Sequence, residues 1–220
     1  MNQAKRLVFK SIWYLSIVYF SYLMLLITVQ YIPIDFEVAF LRVKEEAMSK
    51  MHYQLAFFSH VYTSIIVLLV GITQFSETIR KRYAFVHRNL GKLYVLLVLV
   101  IASPSGFIMA LYANGGIYSK ISFGLQAILW FYFTFAALRF ARQRKWEQHQ
   151  QFMIRSYALT LSAISLRLFK WIIANTLELP PMDTYRIVSW LGWIFNLVIA
   201  ELYIYYFIRK NNRVFTKNKH

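Results

Sequence analysis

The sequence has 220 residues, with 25 Lys and Arg against 9 Asp and Glu, for a formal charge of +16. Hydrophobic residues make up 59% and charged residues 15%, where soluble domains run about 45–50% and about 25%. Having 7 Gly, 4 Pro and no Cys excludes collagen-like and low-complexity chains, disulfide scaffolds, thiolate metal centres and Cys nucleophiles.

A nucleic-acid binder gathers its basic charge in one stripe on a folded face. Here Lys and Arg fall in short clusters between long uncharged runs, so no nucleic-acid partner is expected. The pattern predicts an all-α, polytopic integral membrane protein, and its first partner is the lipid bilayer.

A bilayer core about 30 Å thick needs about 20 mostly apolar helical residues. In chain order six segments qualify: 7–32, 55–75, 91–112, 121–138, 151–175 and 185–208. All 220 residues are read as one transmembrane domain. The first run is too long for a signal-peptide core, and no small-residue cleavage site follows it. Between the first two segments, Phe36, Phe40, Val43, Ala47 and Met51 recur at helical spacing, predicting an amphipathic outer helix over 35–51. Pro104 predicts a kink about one turn earlier in the third segment. Asn114-Gly115-Gly116 marks a tight turn, and Pro180-Pro181 separates the last two segments. Residues 209–220 read as a basic tail.

Six crossings put both termini on one side. That side carries 18 of the 25 Lys and Arg, against 5 on the other. The positive-inside rule then predicts a multi-pass protein of the cell inner (cytoplasmic) membrane with both termini cytoplasmic.

Polar residues inside a bilayer are costly and tend to face protein. His60, Ser64, Gly71 and Gln74 share one face of the second segment. His87, Gly91, Tyr94 and Ser105 share a face of the third, and Gln126, Trp130 and Thr134 a face of the fourth. His149, Met153, Ser156, Thr160 and Arg167 line the fifth. Turned inward, the four stripes predict a polar-lined four-helix core with the first and sixth helices outside it. Gly, Ala, Ser and Thr on such stripes also serve close helix packing without any ligand. The candidate ligand-binding residues are His60, Gln74, Arg80, His87, Arg88, Gln126, His149, Arg155, Arg167, Asn196 and Glu201. Asn196, His60 and Gln126 are candidate partners of Arg167, and Arg155 of Glu201. His87 and His149 begin their stripes at one depth and are the candidate metal ligands.

The ordered run Gly71-x-x-Gln74-Phe75, Arg80, His87-Arg88-x-x-Gly91-x-x-Tyr94-Val95 continues through Gly106, Gly115-Gly116, Phe123-Gly124 and Trp130. It goes on with His149, Met153-Ile154-Arg155-Ser156-Tyr157-Ala158-Leu159-Thr160, Leu166-Arg167-Leu168, Trp190, Trp193, Asn196 and Ala200-Glu201. From about Tyr53 to Glu201 the chain resembles the bacterial "predicted membrane protein" family built on a multi-helix domain of unknown function. That resemblance implies an integral membrane protein and brings no assigned activity.

Three functions remain open. The polar core binds a small ligand or takes part in transport. Alternatively, His87 and His149 hold haem for electron transfer, by analogy with transmembrane b-type cytochromes, with Gly91 and Ser156 making room. Or the protein is a structural or assembly partner without chemistry. No P-loop, G-x-S-x-G elbow or H-E-x-x-H is found, which leaves hydrolysis the least supported reading.

Overall fold

Apolar runs of this length form helices because a backbone surrounded by hydrocarbon must satisfy its own hydrogen bonds. The computed structural model describes residues 3–209 apart from Glu37, and no strand occurs among the described residues. Helix α1 (Gln3–Val29) leads through a 3₁₀ turn (Ala39–Val43) and the short α2 (Glu45–Met48) into α3 (Met51–Gln74). After α4 (Glu77–Arg82), α5 (Ala84–Leu97) passes through a π turn (Val98–Ala102) into α6 (Ser103–Leu111). There follow α7 (Ile117–Arg142), α8 (Trp146–Thr160), α9 (Ser162–Thr176) and α10 (Pro181–Tyr203), which ends in a π turn (Ile204–Arg209).

Four helices are long and apolar enough to cross a membrane: Met51–Gln74, Ala84–Leu111, Ile117–Arg142 and Pro181–Ile208. The pair α8 and α9 makes a fifth crossing when counted as one bent span. The crossing predicted over 7–32 falls on α1, of which Tyr14–Val29 is an apolar helical stretch of the described residues. The predicted basic tail lies outside the described residues beyond Arg209.

Two predicted elements need correction. The fifth segment is not one helix: it breaks at Leu161 and bends by 41°. Ser162 Oγ donates to the Leu159 carbonyl at 2.5 Å and Thr160 Oγ1 to the Ser156 carbonyl at 3.2 Å, and such back-bonding bends helices. The outer segment is not one amphipathic helix either. Its inward residues are Leu41, Lys44, Ala47 and Met48, whereas Phe36, Phe40, Val43 and Met51 are exposed. The 3₁₀ turn shifts the register, because its period is about 3.0 residues instead of 3.6. Pro104 cannot donate a backbone hydrogen bond; the π turn just before it takes up the mismatch without dividing the span Ala84–Leu111.

Side by side, α3 packs on α5 and α6, α6 on α7, α7 on α8, and α8 on α3. Helix α10 lies against α7, α8 and α9, and α1 against α3 and α9. The main core joins Val67, Tyr94, Val98, Ala102, Trp130, Ala137, Met153, Tyr157, Leu159 and Trp193. At the face holding Asn114, Leu41, Ala47 and Met48 pack with Tyr31, Tyr53 and Phe57. The turn there uses positive φ at Gly115 (84°) and Gly116 (74°), where a side chain is strained. Lys44 Nζ donates to the Tyr112 carbonyl and to Asn114 Oδ1 at 2.5 Å, and Arg186 Nε donates to the Gly115 carbonyl at 3.1 Å.

Candidate functional site

The candidate residues fall into two groups at opposite ends of the bundle. At the end bearing most of the basic residues, called the basic face, are Gln74, Arg80, His87, Arg88 and His149. His87 lies in the first turn of α5 and His149 in the first turn of α8. These helices occupy diagonal corners: among the described residues their backbones nowhere come within 8 Å. His149 Nδ1 is 2.9 Å from the Ala137 carbonyl. A carbonyl only accepts, so Nδ1 carries a proton and Nε2 is left without a partner among the described residues. His87 Nδ1 is buried without a hydrogen-bond partner. Gln74 Nε2 donates to Thr73 Oγ1 at 3.2 Å, and its Oε1 lies over Gly91, where an added Cβ would meet it at 3.0 Å. Arg80 and Arg88 are exposed.

Below this group the core is closed by a residue outside the candidate set. The fully buried Tyr94 spans the diagonal, its hydroxyl 2.9 Å from both Ser156 Oγ and Thr160 Oγ1. Ser156 Oγ also meets Thr134 Oγ1 at 2.7 Å. The sequence signal for Tyr94 was its place two turns beyond His87 on the same stripe.

Arg155 turns away from the His residues. Its Nε and Nη2 donate to the two carboxylate oxygens of Glu201 at 2.5 and 2.9 Å, and its guanidinium lies 5.0 Å from the Phe152 ring centroid.

The second group lies toward the opposite face. His60 Nδ1 is 2.8 Å from the Ala102 carbonyl, and its ring packs edge-on to Trp130 at 6.5 Å. A Cβ at Gly106 would meet the imidazole at 3.0 Å. Gln126 Nε2 donates to Ser162 Oγ at 2.5 Å. Arg167 Nη1 donates to the Ala163 carbonyl at 2.9 Å, and the residue is exposed. Asn196 is not its partner: Ser165 Oγ donates to Asn196 Oδ1 at 2.8 Å and Asn196 Nδ2 to the Ala158 carbonyl at 3.1 Å. The break at Leu161 also removes the single continuous face on which His149 and Arg167 were placed.

Among the described residues no three His, Cys, Asp or Glu side chains converge as a metal site. Two imidazoles alone suit a metal that brings its other ligands with it, as haem iron does.

No curated protein and no solved structure matches the chain. The family model "Predicted membrane protein (DUF2306)" matches residues 57–204, which takes in both groups of polar residues. With well over half of its length inside that match, this chain belongs to the predicted membrane protein family DUF2306.

Proposed function

We propose that the protein binds a small ligand inside the membrane, between His87 and His149 at the basic face. The observation that carries this reading is the diagonal pair of imidazoles with unspent nitrogens. A buried polar atom without a partner costs about 1–3 kcal/mol, and His87 Nδ1 is such an atom. The buried Tyr94, Ser156 and Thr134 hydroxyls beneath the pair close the core, which favours binding over passage through the bundle. Native mass spectrometry of detergent-purified protein tests it. A bound mass present in wild type and absent from His87→Ala and His149→Ala supports the reading. No bound mass in wild type overturns it.

A second reading makes that ligand haem. His149 supports it, since an imidazole whose Nδ1 is held by a carbonyl has Nε2 oriented for iron. Arg80 and Arg88 nearby suit the propionates. An absorption spectrum decides: a Soret band, with α and β bands on reduction, is expected from wild type and lost from either His variant.

We further infer six crossings, with both termini cytoplasmic, from the distribution of Lys and Arg. The chain has no Cys, so single-Cys variants report cleanly. An impermeant reagent on intact cells should label a Cys at Asn114 and not one at Gln143; the reverse pattern sinks the orientation.

A further inference from the structure

At the basic-face end of α7, Phe135, Leu138, Arg139, Arg142 and Gln143 line a cavity of about 270 Å³. They fall at i, i+3, i+4, i+7 and i+8, which is one face of an α-helix. Thr134, Ala136 and Ala137 are the buried residues of the same stretch, while Phe135, Arg139 and Arg142 are exposed. The cavity therefore opens outward, away from the bundle core.

Depth divides its lining into two parts. Helix α7 has 26 residues, about 39 Å at 1.5 Å per residue. A bilayer measures about 40–45 Å with its headgroups and about 30 Å without them, so each headgroup layer covers about the last 5–7 Å. Arg142 ends the helix, and Arg139 is about 4 Å in, within that layer. Leu138 is at its lower edge, and Phe135, about 10 Å in, is level with the acyl chains. Phe135 stacks on Phe131, centroids 6.4 Å apart and planes 11° apart, which continues the apolar strip toward the membrane middle.

The two cations have no acid. Among the described residues the ion pairs are Lys81–Glu77, Arg155–Glu201 and Arg186–Asp183, and neither guanidinium has a hydrogen-bond partner. No acid lines the cavity. The next acid along the chain, Glu147, accepts from Gln151 Nε2 at 3.0 Å.

A guanidinium fork matches phosphate oxygens with two parallel hydrogen bonds, and Gln143 adds an amide donor. A free inorganic anion would leave Phe135 and Leu138 uncovered. A second copy seated across a two-fold axis would set Arg139 and Arg142 against their own counterparts. A zwitterionic headgroup brings an ammonium that finds no acid in the cavity. A lipid with a phosphodiester and no cation of its own meets both parts of the lining.

We propose that the basic-face end of α7 binds an anionic phospholipid. Arg139 and Arg142 hold the phosphate with Gln143 beside them, and an acyl chain runs down over Leu138, Phe135 and Phe131. The site is separate from the His87–His149 reading and stands without it.

The test is native mass spectrometry of the delipidated full chain in a neutral detergent. The probes are phosphatidylglycerol and phosphatidylcholine with the same acyl chains, and inorganic phosphate as competitor. Phosphatidylglycerol is expected to fill its first site about fivefold or more tightly than phosphatidylcholine. Arg139→Gln with Arg142→Gln should weaken that site about tenfold or more, since two cations near the surface are lost. Arg139→Lys with Arg142→Lys should fall between, a point charge replacing the fork. Arg82→Gln with Lys92→Gln removes the same charge from exposed positions on the same face, and should weaken it less than about twofold. Phe135→Ser should weaken phosphatidylglycerol while leaving both arginines in place. Size-exclusion profiles establish that the variants are folded. Equal binding of the two lipids overturns the proposal. An equal loss in the Arg82/Lys92 pair also overturns it, since the charge of the whole face would then suffice. Displacement of the lipid by inorganic phosphate at comparable concentration replaces the lipid with a small anion, and unchanged binding by Phe135→Ser removes the acyl half of the site.

Discussion

The two halves of the bundle handle intramembrane polarity differently. In the basic-face half, Arg155 has both carboxylate oxygens of Glu201 and the Phe152 ring, and the Tyr94 hydroxyl has two hydroxyl partners. In the opposite half, Arg167 has one backbone carbonyl, and the helix carrying it turns by 41° from α8. Both halves use the same helices, apart from the α8–α9 break. One bend is thus enough to separate a half in which cation and acid are matched from a half in which a cation is left for something else to match.

The largest expected effect comes from comparing two glycines. A Cβ at Gly71 would overlap the ring of Tyr157. That ring has nowhere to go: it is buried, its hydroxyl donates to the Leu68 carbonyl at 3.3 Å, and it packs on Phe75 with centroids 5.0 Å apart. Gly71→Ala is therefore expected to cost about 3 kcal/mol. Gly106 meets only the His60 ring, at 3.0 Å, a contact that a shift of a few tenths of an ångström relieves. Gly106→Ala should cost under about 1 kcal/mol. Thermal melts in detergent compare them; equal losses would show that the opposite half is as tightly packed as the basic-face half.

Next come the two arginines. Arg155→Leu strands Glu201, whose side chain is 50% exposed while that of Arg155 is 11% exposed. Because the acid is half in contact with its surroundings, the loss should be about 2 kcal/mol, below the full cost of breaking a buried pair. Arg167→Leu removes a cation that has no acid partner, and should leave the unliganded protein unchanged or more stable. If Arg155→Leu proves neutral, or Arg167→Leu destabilises, the contrast between matched and unmatched halves fails.

Tyr94→Phe isolates one hydroxyl of the network. Ser156 and Thr160 keep other bonds, to Thr134 Oγ1 and to the Ser156 carbonyl, so the expected loss is about 1–2 kcal/mol. The same melts read it, and no change would mean that Tyr94 closes the core by shape alone.

The helical membrane class was legible because apolar run length and bilayer thickness leave little choice of structure. The helix ends were less so: the third segment was bounded at 91–112, yet α5 begins at Ala84. The bend at Leu161 escaped because no Pro or Gly marks it. The responsible signal is the cluster of Ser and Thr from Ser156 to Ser162, which sequence periodicity reads only as a polar face. Pairing was legible for Arg155 and Glu201, which lie near one level in the same half. It was not for Arg167, because depth alone ranked Asn196 as a partner while the fold gives Asn196 to Ser165 and Ala158. The outer segment was read as one helix because a 3₁₀ turn at Ala39–Val43 leaves no mark on the apolar spacing.

The smallest expected effect tests the opposite face itself. Lys44 is 6% exposed, and its amine is lowered to about 8, chiefly by burial and then by the like charge of Lys120. It ties the 3₁₀ turn and α2 to the Tyr112–Asn114 turn. A lysine in the unfolded chain titrates near its ordinary 10.5. Between about 8 and 10.5 the unfolded chain therefore holds more protons than the folded one, and stability rises with pH in that window. Below about 8 both forms are protonated, and the contribution is flat at its least favourable value. Raising the pH from 7 to 9 should stabilise the protein by about 1 kcal/mol through this residue. Lys44→Met keeps most of the apolar stem and removes the amine. Its melting temperature should lack that part of the rise, so the difference between the two pH profiles reports Lys44 alone. Parallel profiles would mean that the amine is solvated, and that the outer segment rests on Leu41, Ala47 and Met48 without help from Lys44.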